Sequence, residues 1–200
     1  MTKVEELEQE ILEEEKRGLS SKLKELYRKR DLLIEKDIDK DIYHKKLSND
    51  AIINVAGESG SGKSTLCEVF KDKEEFLVID TDLLDSYEEL VKYFGGVFPE
   101  IFDDFDKLYQ GILDCYKDSG KIIVIDSAAF KNIKDISLLK GEIFILRTCP
   151  NTCYNRCIKR YDERFPNSSF EEKSAYYERK KKINVWYKYL NEFILRIDGV

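Results

Sequence analysis

The sequence predicts an α/β fold with a five-stranded parallel sheet flanked by helices, preceded by an N-terminal α-helical hairpin. From residue 49 onward, short apolar runs alternate with amphipathic helical patterns, as expected for parallel strands joined by crossover helices. Residues 2–47 contain no proline and a single glycine, and most of them are charged or favour helices. We therefore expect two parts, a helical arm over residues 1–48 and an α/β domain over residues 49–200.

The N-terminal arm shows apolar residues at helical spacing on both sides of Gly18, which is typical of a helix that stops and restarts. Residues 2–15 carry seven glutamates, whereas residues 16–30 carry seven lysines or arginines, so two antiparallel helices can pair by charge. A helical hairpin is one interpretation, and a single bent helix in a coiled coil with a second chain is the other. The arm is thus a candidate surface for a homo-oligomer or a protein partner. His44 is expected to be solvated on it.

The α/β domain contains five apolar runs that predict buried strands. They span residues 51–56, 76–80, 122–126, 142–147 and 193–197. The clearest helix between them extends from Phe105 to Tyr116 and stops at a Ser-Gly pair. Further helices are expected after Lys63, over residues 150–164 and, behind a Ser-x-x-Glu capping box, over residues 170–190.

The strongest motif follows the first of these strands and precedes a helix. It reads Gly57-Glu58-Ser59-Gly60-Ser61-Gly62-Lys63-Ser64-Thr65 and satisfies G-x-x-x-x-G-K-[ST]. Glycines let successive backbone N–H groups converge on phosphates, and the helix N-terminus adds partial positive charge. These nine residues, called loop 57–65 below, predict a P-loop NTPase fold that binds ATP and Mg²⁺, with Lys63 on the β- and γ-phosphates and Ser64 on the metal.

The class of P-loop protein follows from what surrounds the motif. About 135 residues come after it, too few for a large ring-forming ATPase with its lid domain. The sequence contains neither the N-K-x-D motif of GTPases nor the L-S-G-G-Q signature of transporter ATPases. A small kinase is the class that remains.

Three acids follow predicted strands. Asp80 ends the run 76–80 and Asp82 stands two residues after it, and Asp126 closes the run 122–126. Carboxyl ends of parallel strands meet at the ligand-binding edge of a sheet, so these side chains are expected near loop 57–65. Asp82 is the candidate catalytic base, and Asp80 and Asp126 are candidate Mg²⁺ ligands beside Ser64. A capped turn after the strand is the alternative for the first pair.

A helical stripe of arginines supplies the remaining candidates. Arg156, Arg160 and Arg164 recur at every fourth residue of one predicted helix. Guanidinium groups suit stacking on a base and bidentate contact with phosphates, so all three are predicted to bind the cofactor as part of a lid. Arg160 is also a predicted catalytic residue, together with Lys63 and Asp82. A solvated helix face is the alternative.

Two other clusters are expected to pack rather than to react. Cys149, Cys153 and Cys157 fall at helical spacing, but no fourth ligand stands near them in the sequence. The aromatic residues around Trp186 are expected to pack between helices and not to form a stacking platform for nucleic acid.

Composition bounds location and partners. The net charge of −6 argues against general affinity for nucleic acid or an anionic membrane. We expect a cytoplasmic protein, because the sequence has no apolar run of transmembrane length, no signal-peptide core and an odd number of cysteines, five. Because the sequence has a single histidine, we expect its chemistry to rest on carboxylate, lysine and arginine side chains and not on a histidine-based site.

Residues 51–200 resemble the nucleoside-monophosphate-kinase-like branch of P-loop kinases, and dephospho-coenzyme A kinase most closely. Loop 57–65 is similar to that family's phosphate loop, residues 78–82 (V-I-D-T-D) to its V-I-D-A-D element, residues 93–95 to its F-G segment, and Arg156 with Arg160 to the start of its lid. The resemblance implies that Asp82 is the base, that the two arginines lie near adenine and phosphates, and that the strand order is 2-3-1-4-5. The family's D-G-x-L-x-R and H-P acceptor elements are missing after Gly95.

Together these features predict ATP- and Mg²⁺-dependent phosphoryl transfer to a small acceptor such as a nucleoside, a nucleotide or a compound like dephospho-coenzyme A. Two alternatives stay open. One is a nucleotide-dependent ATPase switch that uses the helical arm as its output. The other is a polynucleotide 5′-kinase, whose binding would depend steeply on salt.

Overall fold

The computed structural model describes residues 42–101 and 103–199. Five strands form one sheet in the order β1-β5-β2-β4-β3. Their bounds are β1 (Ile42–Lys46), β2 (Ile52–Gly57), β3 (Phe76–Asp80), β4 (Ile122–Ser127) and β5 (Glu142–Leu146). Neighbouring strands pair in parallel except β1, which lies antiparallel to β5. The predicted α/β fold with a mostly parallel five-stranded sheet is therefore confirmed.

Six helices flank this sheet among the described residues. They are α1 (Lys63–Lys71), α2 (Glu88–Tyr93), α3 (Phe105–Tyr116), α4 (Pro150–Arg164), α5 (Phe170–Lys180) and α6 (Ile183–Asp198). The predicted capping box is present at the start of α5, where Ser169 and Glu172 each bond the other's backbone N–H. The chain turns after α5, so the single helix expected over residues 170–190 is two helices.

Both faces of the sheet are covered, as buried parallel strands require. Along β4, Ile123 and Ile125 face a large core beneath α3 and α6, whereas Val124 faces a smaller core beneath α1. This alternation places α1 on one face and α3 and α6 on the other. In the part of the chain that the structure describes, no helix combines the length and apolarity needed to cross a membrane.

The strand order differs from the predicted 2-3-1-4-5 at one edge. The run 193–197 does not form the fifth strand but lies within α6, where Phe193 and Ile197 are fully buried and Leu195 is 71% exposed. In a strand these three side chains would share one face, whereas a helix turns the middle one away. An apolar run this short fits either periodicity, which is why the sequence prediction was wrong there.

The strand at this edge, beside β5, is β1 instead. The sequence prediction assigned its residues to the helical arm. Tyr43 donates a hydrogen bond of 2.6 Å from its hydroxyl to Asp198 of α6. His44, expected to be solvated, is 47% exposed, and its ring stacks on Phe144 of β5 at 4.4 Å between ring centroids and contacts Glu142 at 3.0 Å. The sheet therefore begins before residue 49. The rest of the predicted arm, residues 1–41, lies outside the described residues, and the helical hairpin or coiled coil there stays a prediction.

Candidate functional site

Loop 57–65 joins β2 to α1 and packs against α4 and the residue Thr148 before it. Gly60 and Gly62 have φ angles of 85° and 103°, a left-handed conformation that side chains disfavour. A Cβ atom on Gly60 would also stand 2.5 Å from the carbonyl oxygen of Cys153. Thr148, just before α4, donates to the carbonyl oxygen of Ser61 at 2.7 Å. Two of the motif's glycines are thus required by the curl of the loop and, at Gly60, by its direct contact with the α4 backbone.

The first turn of α1 opens toward the space enclosed by this loop. Its N-cap is Gly62, and no described side chain caps the helix. N–H groups of an uncapped first turn, together with the helix dipole, form a site for an anion. Lys63 folds back over the loop, with its Nζ atom 3.4 Å from the carbonyl oxygen of Glu58. The backbone and the lysine thus present positive potential to the same space.

Asp126, at the end of β4, is the acid that meets the loop. Ser64 donates to its Oδ2 atom at 3.1 Å, and the Nζ atom of Lys63 lies 3.9 Å from its Oδ1 atom. Burial raises the pKa of the Asp126 carboxyl, Lys63 and Ser64 lower it, and Asp80 and Asp82 raise it further. A hydroxyl and a carboxylate in contact, beside a second carboxylate, are oxygen ligands of the kind that Mg²⁺ prefers.

Asp80 lies one strand away, in register with Asp126. Its Oδ1 atom accepts a hydrogen bond of 2.9 Å from the backbone N–H of Asp82 and caps the short 3₁₀ helix Thr81–Ser86. Tyr87 accepts from the Asp80 N–H at 2.8 Å and donates to a β3 carbonyl, which holds this strand end in place. Asp82 lines the cleft at the carboxyl edge of the sheet. Within the described part of the chain, no three His, Cys, Asp or Glu side chains are grouped to hold a metal ion.

The cleft at the carboxyl edge of the sheet has a volume of about 950 Å³, at the upper end of small-molecule sites. It is bounded by loop 57–65, the ends of β3 and β4, and helices α4 to α6. Six basic side chains line it against three acidic ones, in a chain whose net charge is −6. The basic residues are Lys63, Lys131, Arg156, Lys159, Arg160 and Lys180, and the acidic ones are Glu58, Asp82 and Glu163. The cleft therefore favours an anionic ligand.

Of the three arginines predicted to bind the cofactor, two line the cleft and one does not. Arg156 and Arg160 line the cleft, and Arg156 donates to the carbonyl oxygen of Gly60 at 3.2 Å. Arg164 is not among the lining residues, and its guanidinium lies 5.6 Å from the centre of the Phe165 ring. Eight helical positions advance the chain by about 12 Å, which carries Arg164 beyond the loop that Arg156 reaches.

Cys149, the N-cap residue of α4, and Cys153 and Cys157 within the helix are all buried. Cys157 approaches the loop directly, with its Sγ atom 3.4 Å from the hydroxyl oxygen of Ser59. Burial raises the pKa of Cys153 to about 12, so its thiol is neutral at physiological pH. Cys153 and Cys157 thus pack where α4 meets loop 57–65.

Two basic residues that contact loop 57–65, Lys131 and Lys180, were not predicted from the sequence. Lys131, in the 3₁₀ turn Phe130–Asn132, forms a 2.6 Å ion pair with Glu58 of the loop. Burial raises the pKa of Glu58 and lowers that of Lys131, although each group partly offsets the shift of its partner. Lys180, the last residue of α5, lies 3.5 Å from Ser59. Residues 156–188 contain ten lysines or arginines against five acids, which was a signal for Lys180, but nothing adjacent in sequence marks Lys131.

Comparison with known proteins adds little to this geometry. No protein-family model matches the chain, and no curated protein matches it. A chain in the solved structure of the Pnkp1/Rnl/Hen1 RNA repair complex is similar over 75% of this chain and 47% of that chain, with 18% identity and a TM-score of 0.43. The match thus spans less than half of that chain. None of these comparisons identifies the chain as a dephospho-coenzyme A kinase, and the case for a function rests on the site.

Proposed function

We propose that this protein is an ATP-dependent kinase of the P-loop type, which transfers the γ-phosphoryl group to an acceptor bound in the same cleft. The observation that carries the proposal is the convergence of Lys63, Ser64 and Asp126 where loop 57–65 meets the end of β4. In this motif the lysine serves the β- and γ-phosphates, and the hydroxyl and the strand-end acid serve the metal.

The donor site uses the loop and α4. The N–H groups of loop 57–65 and of the first turn of α1 bind the triphosphate, and Lys63 turns from Asp126 toward it. Ser64 and Asp126, with Asp80 on the next strand, are the residues that would hold Mg²⁺, which neutralises phosphate charge when bound. Arg156 and Arg160 close the cleft from the side of α4 and stabilise charge on the transferring group.

The acceptor site lies toward the end of β3. Asp82 presents a carboxylate to the cleft there, and as the base it accepts the proton of an attacking hydroxyl or orients that hydroxyl. A volume of about 950 Å³ leaves room for an acceptor beside the nucleotide. The proposed acceptors are a nucleoside, a nucleotide or a compound like dephospho-coenzyme A. A cytoplasmic location and a partner for residues 1–48 remain proposals drawn from the sequence.

The test is a transfer assay with γ-labelled ATP and Mg²⁺ against nucleosides, nucleotides, dephospho-coenzyme A and DNA ends. Lys63→Ala is expected to lower transfer by about 10²-fold or more, because it removes a charge that acts on the transferring phosphate. Lys188→Ala is the matched control, since this lysine is 75% exposed on α6 and outside the cleft. Full activity in Lys63→Ala, with circular dichroism equal to wild type, would contradict the proposal. So would a wild-type protein that does not bind Mg·ATP.

A further inference from the structure

Three lysines from separate elements surround one carboxylate at the start of loop 57–65. Lys63 begins α1, Lys131 lies in the turn after β4, and Lys180 ends α5. All three act electrostatically on the Glu58 carboxyl, which is almost fully buried. The sequence places them 117 positions apart at the extremes, so only the fold gathers them.

The charges in this cluster do not balance. Lys131 pairs with Glu58 at 2.6 Å, and Lys63 has Asp126 at 3.9 Å. The contacts of Lys180 are neutral, namely the Ser59 hydroxyl and two aromatic rings, and no carboxylate of the described residues forms an ion pair with it. A partly buried ammonium group without a counter-ion is unfavourable. The cluster therefore has positive charge left for an anion.

A single indole holds two of these ammonium groups at one wall of the cleft. The Nζ atoms of Lys131 and Lys180 lie 5.3 Å and 5.8 Å from the centre of the Trp186 ring. Trp186 itself packs against Cys153 and Cys157 of α4, so its position is set by the helix behind the loop. Cation–π contact stabilises ammonium groups at such distances. Lys131, Trp186 and Lys180 form what we call the lysine wall.

The lysine wall and the donor phosphate site contact different side chains of loop 57–65. The wall contacts Glu58 and Ser59, at the beginning of the loop. The donor residues Lys63 and Ser64 stand at its end and face Asp126. Lys63, Lys131 and Lys180 line the same cleft, so a phosphate at the wall and the donor phosphates would be neighbours in it.

We propose that the lysine wall binds a second phosphate group, and that this phosphate belongs to the acceptor. The substrate phosphorylated by this protein is then itself a phosphate ester rather than an uncharged alcohol or nucleoside. The inference rests on the proposed function for the donor half of the cleft. The same lysines could instead bind a phosphate of the donor nucleotide, and the experiment separates these two sources.

The experiment titrates inorganic phosphate into protein saturated with the Mg²⁺ complex of AMP-PNP, a non-hydrolysable ATP analogue. Calorimetry measures binding, and the emission of Trp186, the only tryptophan of the chain, reports on the wall. Lys180→Met removes the ammonium group that has no counter-ion. Glu58→Gln with Lys131→Met removes the buried pair without leaving a lone buried charge. Lys188→Met, outside the cleft, is the matched control.

The wild-type protein and the control are expected to bind phosphate with saturation, and both cleft variants to bind it at least about tenfold more weakly, as for one lost charge-assisted hydrogen bond. The affinity of Lys180→Met, whose side chain lies outside loop 57–65, for Mg·AMP-PNP is expected to change by less than about threefold. The inference is overturned if loaded wild-type protein shows no saturable phosphate binding, or if both cleft variants keep its affinity. It is also overturned if Lys180→Met loses affinity for Mg·AMP-PNP instead, since this lysine then serves the donor.

Failure of the proposed function gives a different result. If wild-type protein does not bind Mg·AMP-PNP, the kinase proposal fails. The phosphate titration of unloaded protein then still tests the wall, because Lys180→Met leaves Lys63 and the α1 N-terminus unchanged. A phosphate affinity that Lys180→Met does not lower in that titration overturns the wall as a phosphate site.

Discussion

Replacing Lys131 by methionine isolates the energetic role of the buried Glu58–Lys131 pair. The two side chains are 2% and 6% exposed, and their charged atoms are 2.6 Å apart. Removing one partner of such a pair costs about 3–5 kcal/mol, because the other charge is left buried. Lys63 and Lys180 still act on the carboxyl, so we expect the lower end of that range, about 3 kcal/mol.

The loss of stability should depend on pH in a direction that the burial of Glu58 determines. Burial raises the pKa of this carboxyl in the folded protein above its ordinary value of 4.5, and removing Lys131 takes away the largest influence that lowers it. A group whose pKa is higher in the folded than in the unfolded protein contributes stability that is fully present below its unfolded-state pKa. That contribution is lost as the pH rises through its folded-state pKa. The Lys131→Met protein should therefore approach wild-type stability at about pH 4 and show its full deficit at neutral pH.

Urea denaturation followed by circular dichroism measures these differences, compared at unchanged m-value. The double variant Glu58→Gln with Lys131→Met is expected within about 1 kcal/mol of wild type, because neutral groups of similar size need no counter-ion. Lys188→Met, which breaks an exposed 3.8 Å pair with Glu192, should change stability by less than about 0.5 kcal/mol. The reasoning is refuted if Lys131→Met stays within about 1 kcal/mol of wild type at neutral pH, or if the double variant is no more stable than the single one.

Three further substitutions test the fold around the site. Gly60→Ala should cost about 2–5 kcal/mol and weaken Mg·ATP binding, because the new Cβ meets the Cys153 carbonyl oxygen in a left-handed backbone; unchanged melting and binding would contradict that geometry. Phe193→Ala should cost about 3–5 kcal/mol while Leu195→Lys changes stability by less than about 0.5 kcal/mol, since α6 buries the first side chain and exposes the second. Comparable large losses for both would favour the strand over the helix.

Features set by adjacent residues were predictable. The glycines of loop 57–65 predicted a backbone that curls before a helix, and the structure has β2, the curl and α1 in that order. The runs that became β2 to β5 were predictable for the same reason, since four strands buried on both faces are nearly continuously apolar. Asp80 and Asp126 could be placed on one edge of the sheet because parallel strands end together.

Features set by distant residues were not predictable from one sequence. The run 193–197 has too few residues to distinguish a strand from a helix, and β1 is an edge strand stabilised by contacts with β5 and α6 that no local pattern records. Lys131 follows an ordinary apolar strand, and only the fold brings it to Glu58.

The sequence by itself determined that this protein has an α/β architecture and a glycine-rich loop that curls before a helix, because backbone curvature and side-chain alternation are local properties. The tertiary structure decided which strand closes the sheet, which arginines reach the loop and how lysines from three elements gather around one buried carboxylate. Those outcomes depend on burial and on charge balance between residues far apart in the chain. The spacing of residues along a sequence records neither burial nor the charge balance between distant residues.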